Sequence, residues 1–194
     1  MLLTRSPVRS PLDSALAFAL GHGWPVVPGC DQGRHHRRCG RPDCLAAPPH
    51  PASEHAHLSP TREETTIRRW WRHGPHAPVL LAVGLAYDVL CLPARRAEAA
   101  LHVVRGSGYR LGPTVELPDG RVLLWVRPGF RLGVEMQQRR SWPYGALGLE
   151  CLTSGSYVLA PPFGGSTWIE RPTAYGQALP RGADLLPLLV QICR

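Results

Sequence analysis

Two kinds of apolar segment alternate along the chain, and their order predicts an α/β (α+β) fold with a mixed β-sheet flanked by helices. Short apolar runs rich in Val and Leu predict strands at residues 24–29, 77–84, 86–93, 113–118, 121–128 and 156–162. Apolar residues at helical spacing predict helices at residues 14–24, 59–74, 94–108 and 182–193. The turn Pro118-Asp119-Gly120 predicts a hairpin between two of the strands.

The first predicted helix has Asp13 or Ser14 as its N-cap, because short polar side chains accept hydrogen bonds from the first N–H groups of a helix. Its predicted buried face consists of Leu16, Ala19 and Leu20. Glycines at 21 and 23 end it.

The second predicted helix is capped by Ser59 or Thr61 and ends at Gly74. Apolar side chains at helical spacing form its predicted buried face: Ile67, Trp70 and Trp71. This spacing favours a core role for the two tryptophans over base stacking.

The length of 194 residues suits one domain with one hydrophobic core. Residues 1–11 lack periodicity and are predicted to be a flexible tail, which leaves a single domain at 12–194. The apolar patch at residues 15–20 is too short for a signal peptide or a membrane span. We therefore expect a soluble, cytoplasmic protein that has no membrane partner.

The 22 basic residues are all arginine, and the formal net charge is +8. Guanidinium groups bind phosphate oxygens bidentately, so this charge favours DNA or a nucleotide as partner. The chain contains no lysine. That absence excludes Schiff-base chemistry and the phosphate lysine of a P-loop.

Residues 30–58 form a long segment of Gly, Pro, His, Arg and Cys. Its Cys30, Cys39, Cys44 and His50 are spaced C-x8-C-x4-C-x5-H and predict a tetrahedral structural zinc site. Other histidines of the segment could replace one ligand: His35, His36, His55 and His57. The alternative is a reduced loop without metal.

The same segment is rich in arginines that could contact a phosphate backbone: Arg34, Arg37, Arg38 and Arg41. A solvated run of charges is the alternative for these residues.

Four segments occur in a characteristic order: ALAFALGHGWPVVPG, EETTIRRWWRHGPHAPVLLAVG, GPTVELPDGRVLLWV and SYVLAPP. Together they resemble the N-terminal domain of bifunctional DNA primase/polymerases, of the archaeo-eukaryotic primase type, from about residue 12 to about residue 168. The resemblance implies a primase-polymerase-like fold. Some bacterial members carry a similar cysteine-rich insertion at this place, which agrees with zinc in residues 30–58.

The resemblance also locates a catalytic centre in which carboxylates hold two divalent ions and a histidine contacts phosphate. The family's Asp-x-Asp falls on Cys91 and Pro93, and its histidine falls on Val122. Arg121 is retained beside it, and the third acidic position retains a carboxylate, Glu150. Mg or Mn is therefore expected only if catalysis survives.

A nearby carboxylate, Asp88, Glu116 or Asp119, would have to relocate to replace the lost pair, and Asp88 is the first candidate. Side chains alternate between the two faces of a strand, so Asp88 is predicted to lie on the face opposite Cys91. It is expected to be hydrogen-bonded at the start of its strand and not to replace a metal ligand.

Three hypotheses follow. The first is a primase/polymerase domain that has lost catalysis and binds nucleic acid or a nucleotide through arginines. The second is an active enzyme with a metal site rearranged around Glu150. The third is a zinc-stabilised protein-interaction or regulatory module that does not bind DNA. A replication protein or helicase acting in trans is a further possible partner.

Overall fold

The computed structural model describes residues 10–30, 49–51, 59–129, 145–173 and 178–194. It confirms the α+β class. The helices α1 to α4 span Pro11–Leu16, Glu64–His73, Ala94–Gly106 and Gly182–Cys193. A π-helical segment, Ala17–Gly21, continues α1.

The strands β1 to β8 span Val26–Pro28, Val79–Ala82, Asp88–Leu92, Thr114–Glu116, Val122–Val126, Glu150–Leu152, Tyr157–Leu159 and Thr167–Glu170. They form two sheets, of order β1-β2-β7 and β6-β3-β5-β4-β8. Neighbouring strands of both sheets pair antiparallel. The sequence predicts one mixed sheet, and the structure has two antiparallel sheets in its place. Strands β6 and β8 were not predicted, because each is short and only partly buried.

Helix α1 starts earlier than the sequence predicts. Ser10 is its N-cap, and the Asp13 N–H donates to the Ser10 hydroxyl at 3.1 Å. The predicted cap at Asp13 or Ser14 is wrong, because the fixed φ of Pro11 suits the first helical position.

The buried face of this first helical segment also differs from the predicted one. Phe18 is buried, whereas Leu20 is 47% exposed. The π-helical turn at Ala17–Gly21 adds a residue to the repeat and so rotates the later side chains away from their α-helical positions.

Helix α2 confirms the predicted buried face, since the side chains most deeply buried in it are Ile67, Trp70 and Trp71. Its end at Gly74 is also confirmed. Its predicted caps are wrong, because Glu63 occupies the N-cap position. Thr61 instead pairs with Val26 through the backbone and fixes the helix against β1.

The five-stranded sheet has a hydrophobic core on each face. One core lies between the two sheets and includes Trp24, Trp71 and Trp125. The other lies under α3 and α4 and includes Leu101 and Leu189. No helix of the described residues is long and apolar enough to cross a bilayer.

Candidate functional site

Strand β3 directs alternate side chains to the two cores. Val89 and Cys91 belong to the core between the sheets, whereas Leu90 and Leu92 belong to the core under α3 and α4. Asp88 opens the strand and is 2% exposed. By alternation it shares the side of Leu90, so it lies opposite Cys91 as predicted.

The neighbouring strand β6 supports this placement of Asp88. Cys151 pairs with Leu90 and packs against the same core under the helices. Burial raises the pKa of the Cys151 thiol to about 12, and the negative charge of Asp88 contributes in the same direction. The carboxylate of Asp88 therefore lies near the Cys151 thiol, on the face of the sheet that packs against α3 and α4.

The opposite side of the sheet brings Cys91 next to charged residues. Cys91 is paired with Leu123 of β5 and with Glu150 of β6. Residues directly opposite each other in antiparallel strands project to the same side, so Glu150 lies beside Cys91. Arg121 reaches the same place from the start of β5, with its Nη1 donating to the Cys91 Sγ at 4.0 Å.

The turn before β5 adds a second carboxylate. Asp119 accepts from the Arg121 backbone N–H at 3.0 Å and from the Arg121 Nε at 2.8 Å. These hydrogen bonds hold the pKa of Asp119 below its usual range. We name the four residues Cys91, Asp119, Arg121 and Glu150 the Cys91 cluster.

Cys91 carries no charge in this cluster at neutral pH. Burial, and to a smaller extent the carboxylate of Glu150, raise the pKa of its thiol to about 11, although the guanidinium of Arg121 acts in the opposite direction. A neutral thiol is a poor ligand for the hard cations Mg²⁺ and Mn²⁺, which prefer oxygen.

Two of the predicted positions lie apart from the cluster. Val122 pairs with Leu92 and packs into the core under α3 and α4, on the side of the sheet away from Cys91. Arg121, and not Val122, is thus the residue at the start of β5 that reaches Cys91. Pro93 follows the last residue of β3 and occupies the N-cap position of α3.

A family model for the bifunctional DNA primase/polymerase N-terminal domain matches residues 15–181. The chain belongs to this family. The match covers most of the chain and includes both sheets, the Cys91 cluster and the segment with the cysteines. No curated protein and no solved structure matches the chain.

As a primase/polymerase-type domain, the protein belongs to a family whose activity implies contact with nucleic acid or nucleotides. The family's two-metal chemistry needs several carboxylates that are free to bind ions. The Cys91 cluster offers two, and one of them, Asp119, is ion-paired with Arg121. Within the described ranges, no three His, Cys, Asp or Glu side chains come together as a metal site. The donor set does not fit a pair of divalent ions.

Within the cysteine segment, residues 30–58, the structure describes Cys30 and residues 49–51, which we call the base of the segment. The Cys30 N–H donates to the His50 carbonyl at 3.0 Å, and Gly29 pairs with Pro51. Both predicted zinc ligands at this base are buried, Cys30 with 8% and His50 with 7% exposure. The other predicted zinc ligands and the arginines of the segment lie outside the described residues: Cys39, Cys44, Arg34, Arg37, Arg38 and Arg41.

The sequence did not indicate the role of Asp119. The sequence feature that could have indicated this role is the Pro-Asp-Gly turn, because an aspartate in such a turn accepts hydrogen bonds from the backbone two residues later. The pairing of its second oxygen with Arg121 needs the hairpin, and so it is visible only in the fold.

Proposed function

We propose that the protein is a primase/polymerase-family domain that has lost catalysis and binds nucleic acid or a nucleotide. The observation that carries this proposal is the Cys91 cluster, in which a neutral thiol occupies a position where the resemblance implies a carboxylate. The guanidinium of Arg121 lies against this thiol and beside Asp119 and Glu150, and its fixed positive charge opposes the binding of a divalent ion there.

Arginines supply the binding in this proposal. Arg121 keeps 43% of its side chain exposed and lies at the edge of the cluster. Positive charge also comes from arginines that lie between Cys30 and His50 in the sequence: Arg34, Arg37, Arg38 and Arg41. Together with the net charge of +8, they favour contact with phosphates without reading of base sequence.

The decisive experiment is primer extension and de novo primer synthesis with Mg²⁺ or Mn²⁺, run with the native chain and with Glu150→Ala. We expect no template-dependent product from either protein. Oligonucleotide binding by the native chain, measured in parallel by fluorescence anisotropy, is expected to persist and to weaken steeply with added salt. Product from the native chain that disappears in Glu150→Ala would overturn the loss of catalysis.

An active enzyme with a rearranged site is the second candidate. It is favoured by the two carboxylates of Asp119 and Glu150, which both act electrostatically on Cys91 and so lie near one another. In that case Asp119→Asn would abolish product as Glu150→Ala does, and Mn²⁺ or Mg²⁺ would be required.

We also propose a structural zinc ion held by Cys30, Cys39, Cys44 and His50. The contact between the backbones of Cys30 and His50 supports it, because two of the four ligands are thereby brought together at the base of the segment. Metal analysis should give about one zinc per chain, and Cys30→Ser should lower it strongly while Cys193→Ser does not.

Less than about half a zinc per native chain, after purification without chelators, would contradict the metal site. If zinc is present but the chain binds no oligonucleotide at low salt, the third hypothesis, a protein-interaction or regulatory module, is favoured. A helicase or another replication protein acting in trans would then be the partner to test.

A further inference from the structure

The exposed face of α2 is strongly basic. Its outward side chains include three arginines, Arg68, Arg69 and Arg72, and all three residues are exposed. Residues 65–87 contain no Asp or Glu. The acidic residues of the helix are confined to its start, at Glu63 and Glu64.

The two acidic residues are already engaged. Glu64 forms an ion pair with Arg68 at 2.7 Å. Glu63 accepts hydrogen bonds from the hydroxyls of Thr65 and Thr66. In the described part of the chain, Arg69 and Arg72 have no carboxylate within ion-pair distance. The charge of Arg69 is the smallest of the effects on the pKa of Glu63, after the hydrogen bonds from the two threonines, so both guanidinium groups can bind a partner.

This face is held rigidly. Trp71 is buried beneath it, and its Nε1 donates to the Ala77 carbonyl at 2.9 Å, which fixes the turn after the helix. The next carbonyl, that of Pro78, accepts from the Gly29 N–H at 2.8 Å. Residues 77–78, which follow the basic end of α2, therefore lie next to the base of the cysteine segment, where the Cys30 N–H donates to the His50 carbonyl.

We propose that the face formed by Arg69 and Arg72 is a docking surface for the phosphate backbone of single-stranded nucleic acid. The inference rests on the proposed nucleic-acid binding and adds a surface separate from the Cys91 cluster. Adjacent cations on a rigid helix contact successive phosphates without contacting bases, so the surface positions a strand but selects no sequence.

Basic residues in the last turn of a helix also stabilise it through the helix dipole. That role predicts a loss of stability, and not of binding, when the arginines are replaced. The experiment must therefore separate binding from folding.

The test compares the 194-residue chain carrying R69Q/R72Q with a matched control, R110Q/R171Q, which removes two exposed arginines outside α2 that also have no carboxylate within ion-pair distance among the described residues. Fluorescein-labelled oligo(dT) is titrated by anisotropy at several KCl concentrations, and thermal melts verify folding. We expect R69Q/R72Q to lose roughly tenfold in affinity at low salt and the salt slope to fall by about 1.4, the value for two contacts with a single strand. The control should keep the native slope.

An unchanged slope in R69Q/R72Q, with native binding intact, would overturn the surface and leave the proposed function standing. Equal losses in both double variants would also overturn it, because they would reflect net charge alone. Absence of oligo(dT) binding by the native chain at low salt would overturn both the surface and the proposed binding function.

Discussion

At the scale of single residues, Cys91 lies at a position where the resemblance implies a carboxylate of the catalytic centre. Its buried thiol is neutral at neutral pH. The guanidinium of Arg121 contacts this neutral sulfur through Nη1 and the Asp119 carboxylate through Nε. In this cluster the carboxylate of Asp119 is therefore paired with a cation of the protein itself.

The thiols of Cys91 and Cys151 are expected to react slowly. Burial raises their pKa values to about 11 and about 12, so at pH 8 the reactive thiolate is scarce. Iodoacetamide labelling followed by peptide mass spectrometry should show both sites alkylated at least about a hundredfold more slowly than in urea-unfolded protein. The rates should rise with pH, and labelling of Cys91 at the unfolded rate at pH 8 would contradict its burial.

Tyr87 is a second residue whose environment yields a prediction. Among the residues that the structure describes, its buried hydroxyl has no hydrogen-bond partner, although the Trp125 indole N–H approaches it. Burial raises the pKa of Tyr87 well above its usual range. Tyr87→Phe should change the free energy of unfolding by less than about 1 kcal/mol, because no hydrogen bond is lost.

Urea titration measures the effect, with the exposed Tyr109→Phe as its control. A loss above about 2 kcal/mol for Tyr87→Phe would show that its hydroxyl is hydrogen-bonded, as through a buried water.

At the scale of elements, the turn between β2 and β3 separates the two sheets. These consecutive strands do not pair with one another, because β2 pairs with β1 and β7 while β3 pairs with β5 and β6. Gly84 makes the turn possible with a φ of 91°, in the left-handed region that favours glycine. A Cβ at Gly84 would lie 2.3 Å from the backbone nitrogen of Ser154.

Gly84→Ala should therefore destabilise the protein by about 3 kcal/mol or more, because backbone strain and a clash with another backbone segment combine. Gly106→Ala is the matched control, since it lies at the end of α3, where no atom of the described residues is within 4 Å of the added Cβ. That change should be neutral or slightly stabilising, by up to about 1 kcal/mol. Similar urea midpoints for the two variants would contradict the close packing at Ser154.

At the scale of the whole molecule, one core joins the two sheets. It includes Val26 and Leu81 from the three-stranded sheet and Val89 and Trp125 from the five-stranded sheet. Neither sheet can lose its inner face without exposing the other. That residues 12–194 form a single domain is a prediction, which an unfolding experiment tests.

Unfolding should accordingly be one cooperative transition. Tryptophan fluorescence reports on the core between the sheets, where Trp24, Trp71 and Trp125 are buried, and far-UV circular dichroism reports on all helices. The two signals should share one urea midpoint. Separate midpoints would show that the sheets unfold independently.

The sequence predicted those parts of the fold that depend on local periodicity. The buried face of α2 and the alternation that separates Asp88 from Cys91 follow from repeats of 3.6 and 2 residues, and the hairpin follows from its Pro118-Asp119-Gly120 turn. Short edge strands such as β6 and the π-helical turn after α1 have no such local signal. They depend on partners that are distant in the sequence.

The sequence by itself determined the family and the charge of the chain, because these properties belong to residue types in a given order. Only the tertiary structure decided that Arg121 lies against Cys91 and that Val122 faces the helices. The physical reason is that the register between β3 and β5 sets which side chains meet. That register is fixed by packing on both faces of the sheet, which no single segment encodes.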